Sequence, residues 1–176
     1  MTACPLLKAA FIESMRLDSA TWSLKRLKHD VTISAGTATT GNSEGSDKPA
    51  SYLLPSGSFI EIPMDQHFSN PRFFDEPGEY RPARHIRRET AADGSSKLTA
   101  EWGTIRAFGG GSDMCPGRLY AEREILACTA GLLALWEFEP VEGETWRIPK
   151  SKKATGVVMP TEDVRVRIQR REFTSR

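Results

Sequence analysis

The chain carries the run Phe108-Gly-Gly-Gly-Ser-Asp-Met-Cys115-Pro-Gly-Arg118 directly before a stretch with helical periodicity. A helix N-terminus has unpaired backbone N–H groups and a partial positive charge, so a cysteine placed there readily forms a thiolate. Thiolate is a soft, electron-rich metal ligand. Because Gly109 to Gly111 leave the loop without side chains, its backbone can lie flat against a large planar group. Phe108 stands at the start of the loop, where it can pack against the same plane.

Two other uses of this run stay open on spacing alone. A glycine-rich loop before a helix can cradle a phosphate, although the dinucleotide-binding and P-loop spacings are both absent. A redox-sensing cysteine needs only easy deprotonation and no ten-residue frame around it. The run by itself therefore leaves heme-thiolate ligation, phosphate binding and redox sensing as alternatives.

The composition is that of an ordinary globular protein. The 176 residues include 24 Lys plus Arg against 23 Asp plus Glu, which gives a net charge of +1. This balance argues against a strongly basic nucleic-acid binder and against an acidic tail protein. The three cysteines, Cys4, Cys115 and Cys128, cannot all pair, and their spacing fits no zinc pattern. We expect Cys4 and Cys128 to be small buried hydrophobic residues.

Periodicity predicts two helices and several short strands. Apolar residues recur at helical spacing over residues 4–18 and again over residues 118–137, and the second is expected to be a buried helix. Strands are predicted at Val31–Ile33 and, around a Pro-x-Gly turn, within residues 52–62. The alternation Val164-Arg-Val-Arg-Ile168 predicts a strand with a basic, solvated edge.

The intervening segments are expected to be irregular. Residues 34–50 contain no large apolar side chain, which predicts a flexible surface loop inserted into a hairpin. Residues 64–88 combine breaking prolines with recurring aromatics, which is typical of packed irregular chain. A polar loop is predicted at residues 91–97. The longest apolar stretch, Ile125 to Phe138, is shorter than the ~20 residues that a membrane span needs.

Two motifs upstream of Cys115 suggest a charged cluster. Glu13-Ser-Met-Arg16 places a carboxylate and a guanidinium three residues apart on one helix face, where they can pair. Such a pair alone has no specificity. Its value lies in its position, about a hundred residues before Cys115, with the element Tyr80-Arg-Pro-Ala-Arg-His85 between them.

In this order, the three motifs resemble those of the cytochrome P-450 monooxygenases. The family's heme-binding signature is Phe-x-x-Gly-x-Arg-x-Cys-x-Gly, and this chain has Phe108, Gly111, Cys115 and Gly117 in register. It departs at Asp113, where a basic residue that commonly pairs with a heme propionate is usual. Glu13 to Arg16 resembles the Glu-x-x-Arg of the family's K helix, and Tyr80 to His85 resembles its Phe-x-Pro-x-Arg-Phe element.

The resemblance implies a mostly α fold with small β-sheets, an α+β class. It covers the carboxy-terminal part of the family fold: K helix, β hairpins, irregular meander, Cys-ligand loop, long L helix and terminal strands. Residues 1–176 are then a carboxy-terminal fragment of a single domain, with residues 34–50 as the loop insertion. Such a piece should expose an apolar interface, and we expect it to fold poorly alone.

The same resemblance assigns roles to individual residues. Cys115 is the expected axial ligand of heme iron, and Arg84 is expected to join Glu13 and Arg16 in a buried structural cluster. The resemblance also implies a set of heme-contacting residues, in which Arg26 contacts a propionate: Phe108, Gly109, Gly111, Gly117 and Arg26. More weakly, it implies that Trp22 and Met159 contact the substrate. His67 is expected to have a capping or surface role.

By resemblance, the activity is hydroxylation of a small, lipophilic organic substrate using O2 at a heme (iron protoporphyrin IX). Electrons are expected from an NADPH-dependent reductase, near the basic residues Arg87, Arg88 and Lys97. No nucleic-acid partner is expected. The alternatives are a truncated, non-catalytic heme-binding fragment, an inert fragment, and a peroxide-isomerising or dehydrating member of the family.

The Cys-Pro-Gly-Arg sequence is similar to that of a eukaryotic and fungal branch of the family, which contains steroid 7α-hydroxylases and prostacyclin synthases. The parent protein is expected at the cytosolic face of the endoplasmic reticulum, while this chain shows no anchor or signal and is expected to be soluble or unstable.

Overall fold

The computed structural model describes residues 4–19, 21–34, 51–91, 93–154 and 157–172. Contacts divide the chain into two compact units, one formed by Met1–Trp22 with Pro63–Arg176 and the other by Ser23–Ile62. Within the described ranges there are three α-helices and five two-stranded sheets. This mixture of helices and small antiparallel sheets confirms the predicted α+β class.

The larger unit is built around the first helix. Helix α1 spans Pro5–Asp18, and Pro5 suits its first turn because proline lacks the N–H that would be unpaired there. The short helix α2 (Met64–Phe68) packs against α1, and the long helix α3 spans Arg118–Leu135. One buried cluster joins α1 and α2 to the segment before the Cys115 loop: Ile12, Phe68, Phe74, Ile105 and Ala107.

The smaller unit holds two strand pairs. Strands β1 (Trp22–Arg26) and β4 (Phe59–Pro63) pair with each other, while β2 (Val31–Ser34) pairs with β3 (Ser51–Leu54) from Val31 opposite Leu54 to Ser34 opposite Ser51. The predicted strands at either side of the Pro-x-Gly turn therefore exist but pair with earlier strands. Of the predicted loop over residues 34–50, residues 35–50 lie outside the described residues.

Three further antiparallel pairs belong to the larger unit. They are β5 (Ile86–Thr90) with β6 (Ser96–Ala100), β7 (Trp136–Pro140) with β10 (Val166–Arg170), and β8 (Ser151–Ala154) with β9 (Val157–Pro160). The pair β5–β6 was missed because its charged sequence reads as loop. The basic character of β10 is matched by acidic side chains of β7, since Arg167 pairs with Glu139 at 3.1 Å.

Several predictions about α3 and the cysteines were wrong in detail. The helix ends at Leu135, because Trp136 is already opposite Arg170 in the β7–β10 ladder. The helix was expected to be buried, but of the residues in α3, all of them described, only Leu126 is buried. Cys4 and Cys128 are exposed. Apolar side chains of α3 lie exposed instead: Leu119, Tyr120, Ile125, Leu132, Leu133 and Leu135.

Candidate functional site

The loop that carries Cys115 is closed by its own backbone. The amide N–H of Cys115 donates to the carbonyl of Phe108 at 2.9 Å, which brings the two ends of the glycine run together. Gly109 N–H donates to Arg106 O at 2.9 Å at the entrance of the loop. Helix α3 follows at once, with Gly117 as its N-cap residue. The Cys115 thiol is exposed on this loop.

The glycines serve two different purposes in this loop. Gly109 and Gly111 have φ angles of +77° and +69°, a left-handed region that residues with a Cβ rarely adopt. Gly110 is extended, with φ −158°, and no atom lies within 4 Å of where its Cβ would be. At Gly117 a Cβ would sit 3.8 Å from the Cys115 sulfur. The backbone path thus requires Gly109 and Gly111, whereas Gly117 leaves the space beside the Cys115 sulfur without a side chain.

Replacing Gly109 by alanine is expected to destabilise the protein by about 1–2 kcal/mol, because a Cβ at positive φ approaches the backbone. Gly110→Ala, in the same loop but at an ordinary φ and facing open space, is the matched control and should change stability by less than about 0.5 kcal/mol. Urea unfolding followed by circular dichroism measures both. Equal effects of the two substitutions would contradict a conformational role for Gly109.

An aromatic contact ties the loop to both long helices. The Trp102 ring meets Phe108 edge-on, with centroids 5.6 Å apart, and it meets Phe11 of α1 at the same distance. The Trp102 indole N–H donates to Glu122 of α3 at 3.3 Å, and Glu122 also pairs with Lys8 of α1 at 2.9 Å. Sequence analysis missed Trp102, Glu122 and Lys8, because only the tertiary structure brings them to the loop.

A cavity of about 480 Å³ opens beside this contact. Its walls come from the residues before the loop, the loop itself and the first turns of α3, including Trp102, Arg106, Phe108, Met114 and Arg118. Trp22 and Met159 do not line it; both are exposed, at the start of β1 and on β9. Their predicted substrate contacts stay predictions.

The second structured centre is the Glu13 carboxylate, which is fully buried. Arg16 donates two hydrogen bonds to this carboxylate, each at 2.9 Å, and Arg84 Nε donates a third at 3.0 Å. Sequence analysis predicted these three residues as one cluster, and the structure places them together. Two further donors complete the carboxylate: the backbone N–H of Arg81 at 2.9 Å and the imidazole of His85 at 2.7 Å.

The protonation of Glu13 follows from these contacts. Burial acts to raise the pKa of Glu13, but the hydrogen bonds from Arg16, from the Arg81 amide and from His85 outweigh it. They lower the pKa of Glu13 from 4.5 to about 2. Glu13 is therefore a carboxylate at neutral pH, held by five hydrogen bonds.

Three other residues singled out in the sequence are Arg26, Asp113 and His67, of which Asp113 belongs to the Cys115 loop. Arg26 is on β1, and most of that strand belongs to the smaller unit, so its contact with a heme propionate stays a prediction. Asp113 lies exposed in the 3-10 turn Gly111–Asp113, where Ser112 Oγ donates to it at 3.3 Å. His67 packs against Phe73, with ring centroids 4.5 Å apart, and its Nε2 lies 3.0 Å from the Thr104 hydroxyl.

The residues around Cys115 suit a heme better than a metal ion held by protein side chains. No cluster of three or more His, Cys, Asp or Glu side chains that could hold a metal occurs within the described ranges. A single exposed thiol, with a glycine rather than a larger residue beside its sulfur at position 117, leaves room for a wide planar group that brings its own four nitrogen ligands. In the same part of the chain, none of the helices has both the length and the apolar character needed to cross a bilayer.

Comparisons with known proteins agree with this geometry. A model of the family described as Cytochrome P450 matches residues 1–168. Similar curated proteins include cytochrome P450 monooxygenase 1 of Gibberella fujikuroi, 28% identical over 159 residues, which are 89% of this chain and 35% of that protein. Another is the 25-hydroxycholesterol 7-alpha-hydroxylase of Rattus norvegicus, 24% identical over 173 residues, which are 96% of this chain and 38% of that protein.

A solved structure gives the same result for the fold. The crystal structure of a cytochrome P450 (CYP102L1) aligns with a TM-score of 0.62 and 22% identity, over 94% of this chain and 32% of that one. The chain spans about a third of the length of these relatives. The family model covers nearly the whole sequence. The chain belongs to the cytochrome P450 family.

Proposed function

We propose that this chain supplies the heme-ligating part of a heme-thiolate monooxygenase, with Cys115 as the axial ligand. The observation that carries the proposal is the exposed Cys115 thiol, held at the end of a closed glycine loop two residues before the N-cap of α3. In the longer relatives the family name implies oxygen activation, for which a thiolate ligand pushes electron density toward the iron and favours O–O cleavage.

The chain's own residues prepare that ligand. The hydrogen bond from Cys115 N–H to Phe108 O fixes the backbone that carries the thiol, and the Trp102 ring packs edge-on against the Phe108 ring. Gly117 keeps the space beside the Cys115 sulfur open to a planar cofactor, because a Cβ there would lie 3.8 Å from that sulfur. When bound, heme supplies the oxygen chemistry, while the protein sets the axial ligand, the polarity and the access.

The proposed reaction partners are O2, a small lipophilic substrate and an NADPH-dependent reductase. For the reductase, the exposed strand β5 offers Arg87 and Arg88, and Lys97 lies opposite on β6. The proposed branch, with fungal monooxygenases and steroid 7α-hydroxylases, is supported by the names of the two similar proteins. The endoplasmic reticulum is the proposed location of the longer protein, on the resemblance alone.

A carbon-monoxide difference spectrum of the reduced, heme-reconstituted chain tests the proposal. We expect a thiolate-type Soret band that is absent from Cys115→Ala. Cys4→Ala and Cys128→Ala are matched controls, because both thiols are also exposed but lie outside the loop, and both variants should keep the band. Heme uptake without that band, or a band that persists in Cys115→Ala, would contradict ligation by Cys115.

A further inference from the structure

His85 is a buried titratable group that the proposed function leaves unused. Its side chain is 5% exposed, and its Nε2 atom lies 2.7 Å from Oε2 of Glu13. This is the shortest of the contacts to that carboxylate. His85 ends the 3-10 turn Pro82–His85 and is followed directly by strand β5.

The surrounding charges decide the form of the imidazole. Glu13 is ionised and can only accept, so Nε2 of His85 is the donor. Glu13 and Arg16 face the ring from α1, and Arg84 faces it from the same turn. Glu101, which directly follows β6, contacts His85 through its backbone N–H, and its own side chain is exposed.

Of these influences, burial is the largest. Burial lowers the pKa of His85 below the usual 6.5, and Arg84 and Arg16 act in the same direction, whereas Glu13 opposes them. One carboxylate already faces two guanidinium groups, so the cluster is net positive and a further proton on His85 would add to that charge. The imidazole is therefore neutral at pH 7.

A continuous series of contacts leads from His85 to the Cys115 loop. The carbonyl of His85 accepts the N–H of Glu101 at 3.0 Å, next to the first pair of the β5–β6 ladder. Trp102 follows Glu101 directly and packs edge-on against Phe108. Phe108 O in turn accepts the N–H of Cys115. All these residues belong to the larger unit.

We propose that His85 is a positioning residue for the Cys115 loop: its imidazole anchors the β5–β6 hairpin to Glu13, and the hairpin in turn supports the loop. The relevance to heme rests on the proposed function, whereas the connection itself does not. Because folding disfavours the protonated imidazole, the unfolded chain binds more protons as the pH falls. The stability contributed by His85 is therefore complete above about pH 6.5 and declines below it.

The first arm of the test is an NMR titration of the imidazole signals of the full chain. There are only three histidines, His29, His67 and His85. The His85 signal is the one missing from His85→Gln, and His29→Gln with His67→Gln assign it by elimination if that variant does not fold. We expect a midpoint below 6.5 and the Nε2–H tautomer. A midpoint at or above 6.5 would contradict the pH dependence of stability given above, and the Nδ1–H tautomer would overturn the proposal, because Nε2 would then have no proton to donate to Glu13.

The second arm is hydrogen exchange of residues 108–115 at one fixed pH. His85→Phe removes the donor to Glu13 and should speed exchange in this segment, whereas His85→Gln keeps an N–H donor and should restore protection. His29→Phe is the control for the same replacement at an exposed histidine. Wild-type protection in His85→Phe, or no rescue by His85→Gln, would refute the connection. Neither arm requires heme. A missing thiolate band would therefore contradict the proposed function and leave the result for His85 unchanged.

Discussion

Arg16→Ala is expected to destabilise the chain by about 3–5 kcal/mol, the range typical for removing one partner of a buried ion pair. The side chain is 2% exposed and uses all of its donors. Two N–H groups bind Glu13, and the others bind the carbonyls of Phe68, Pro77 and Glu79 at 2.7, 2.8 and 3.2 Å. Loss of the guanidinium leaves buried acceptors unpaired and removes the hydrogen bonds that join α1 to the segment from Phe68 to Glu79.

Urea unfolding of Arg16→Ala and Arg16→Lys, followed by far-ultraviolet circular dichroism, measures this effect. Lysine keeps the charge but lacks the planar fork, so it should recover only a small part of the stability. Arg167→Ala is the matched control, because its pair with Glu139 is exposed and should contribute less than about 1 kcal/mol. If Arg16→Ala lowered the free energy of unfolding no more than Arg167→Ala does, the structural role of the cluster would be contradicted.

Acid should remove about 3 kcal/mol of stability through Glu13 alone. The pKa of this group is about 2 in the folded chain, against an ordinary 4.5. A group with a lowered folded pKa stabilises the protein above its unfolded pKa and loses that contribution as the pH falls through its folded pKa. The difference of ~2.5 pKa units, at 1.36 kcal/mol each, gives this magnitude. The loss should run from about pH 4.5 toward pH 2.

The free energy of unfolding, measured at intervals between pH 7 and pH 3, tests this expectation. In Glu13→Gln the slope below pH 4.5 should fall, because that variant has no carboxyl group at this position to titrate. Glu139→Gln removes an exposed carboxylate instead and should keep the wild-type slope. Identical slopes in the wild type and in Glu13→Gln would show that the cluster does not hold Glu13 ionised.

Local sequence was informative where a motif is contiguous. Phe108 to Arg118 predicted a glycine loop and a helix start, and positive φ at Gly109 and Gly111 explains two of its glycines. Helix α1 was predicted from its periodicity and agrees with Pro5–Asp18. Errors arose where tertiary pairing competes with periodicity. Trp136 and Glu137 continue the helical pattern of α3 but join a strand pair with β10.

The sequence by itself determined the family and the α+β class and made Cys115 the candidate ligand, because three short motifs with fixed internal spacing occur in the family's order. Only the tertiary structure decided which distant groups share a carboxylate. His85 meets Glu13 across 72 positions, and Trp102 joins Phe108, Phe11 and Glu122 from three separate segments. The physical reason is that a buried charge must collect donors from any part of the chain that packs around it, and no local pattern records which parts do.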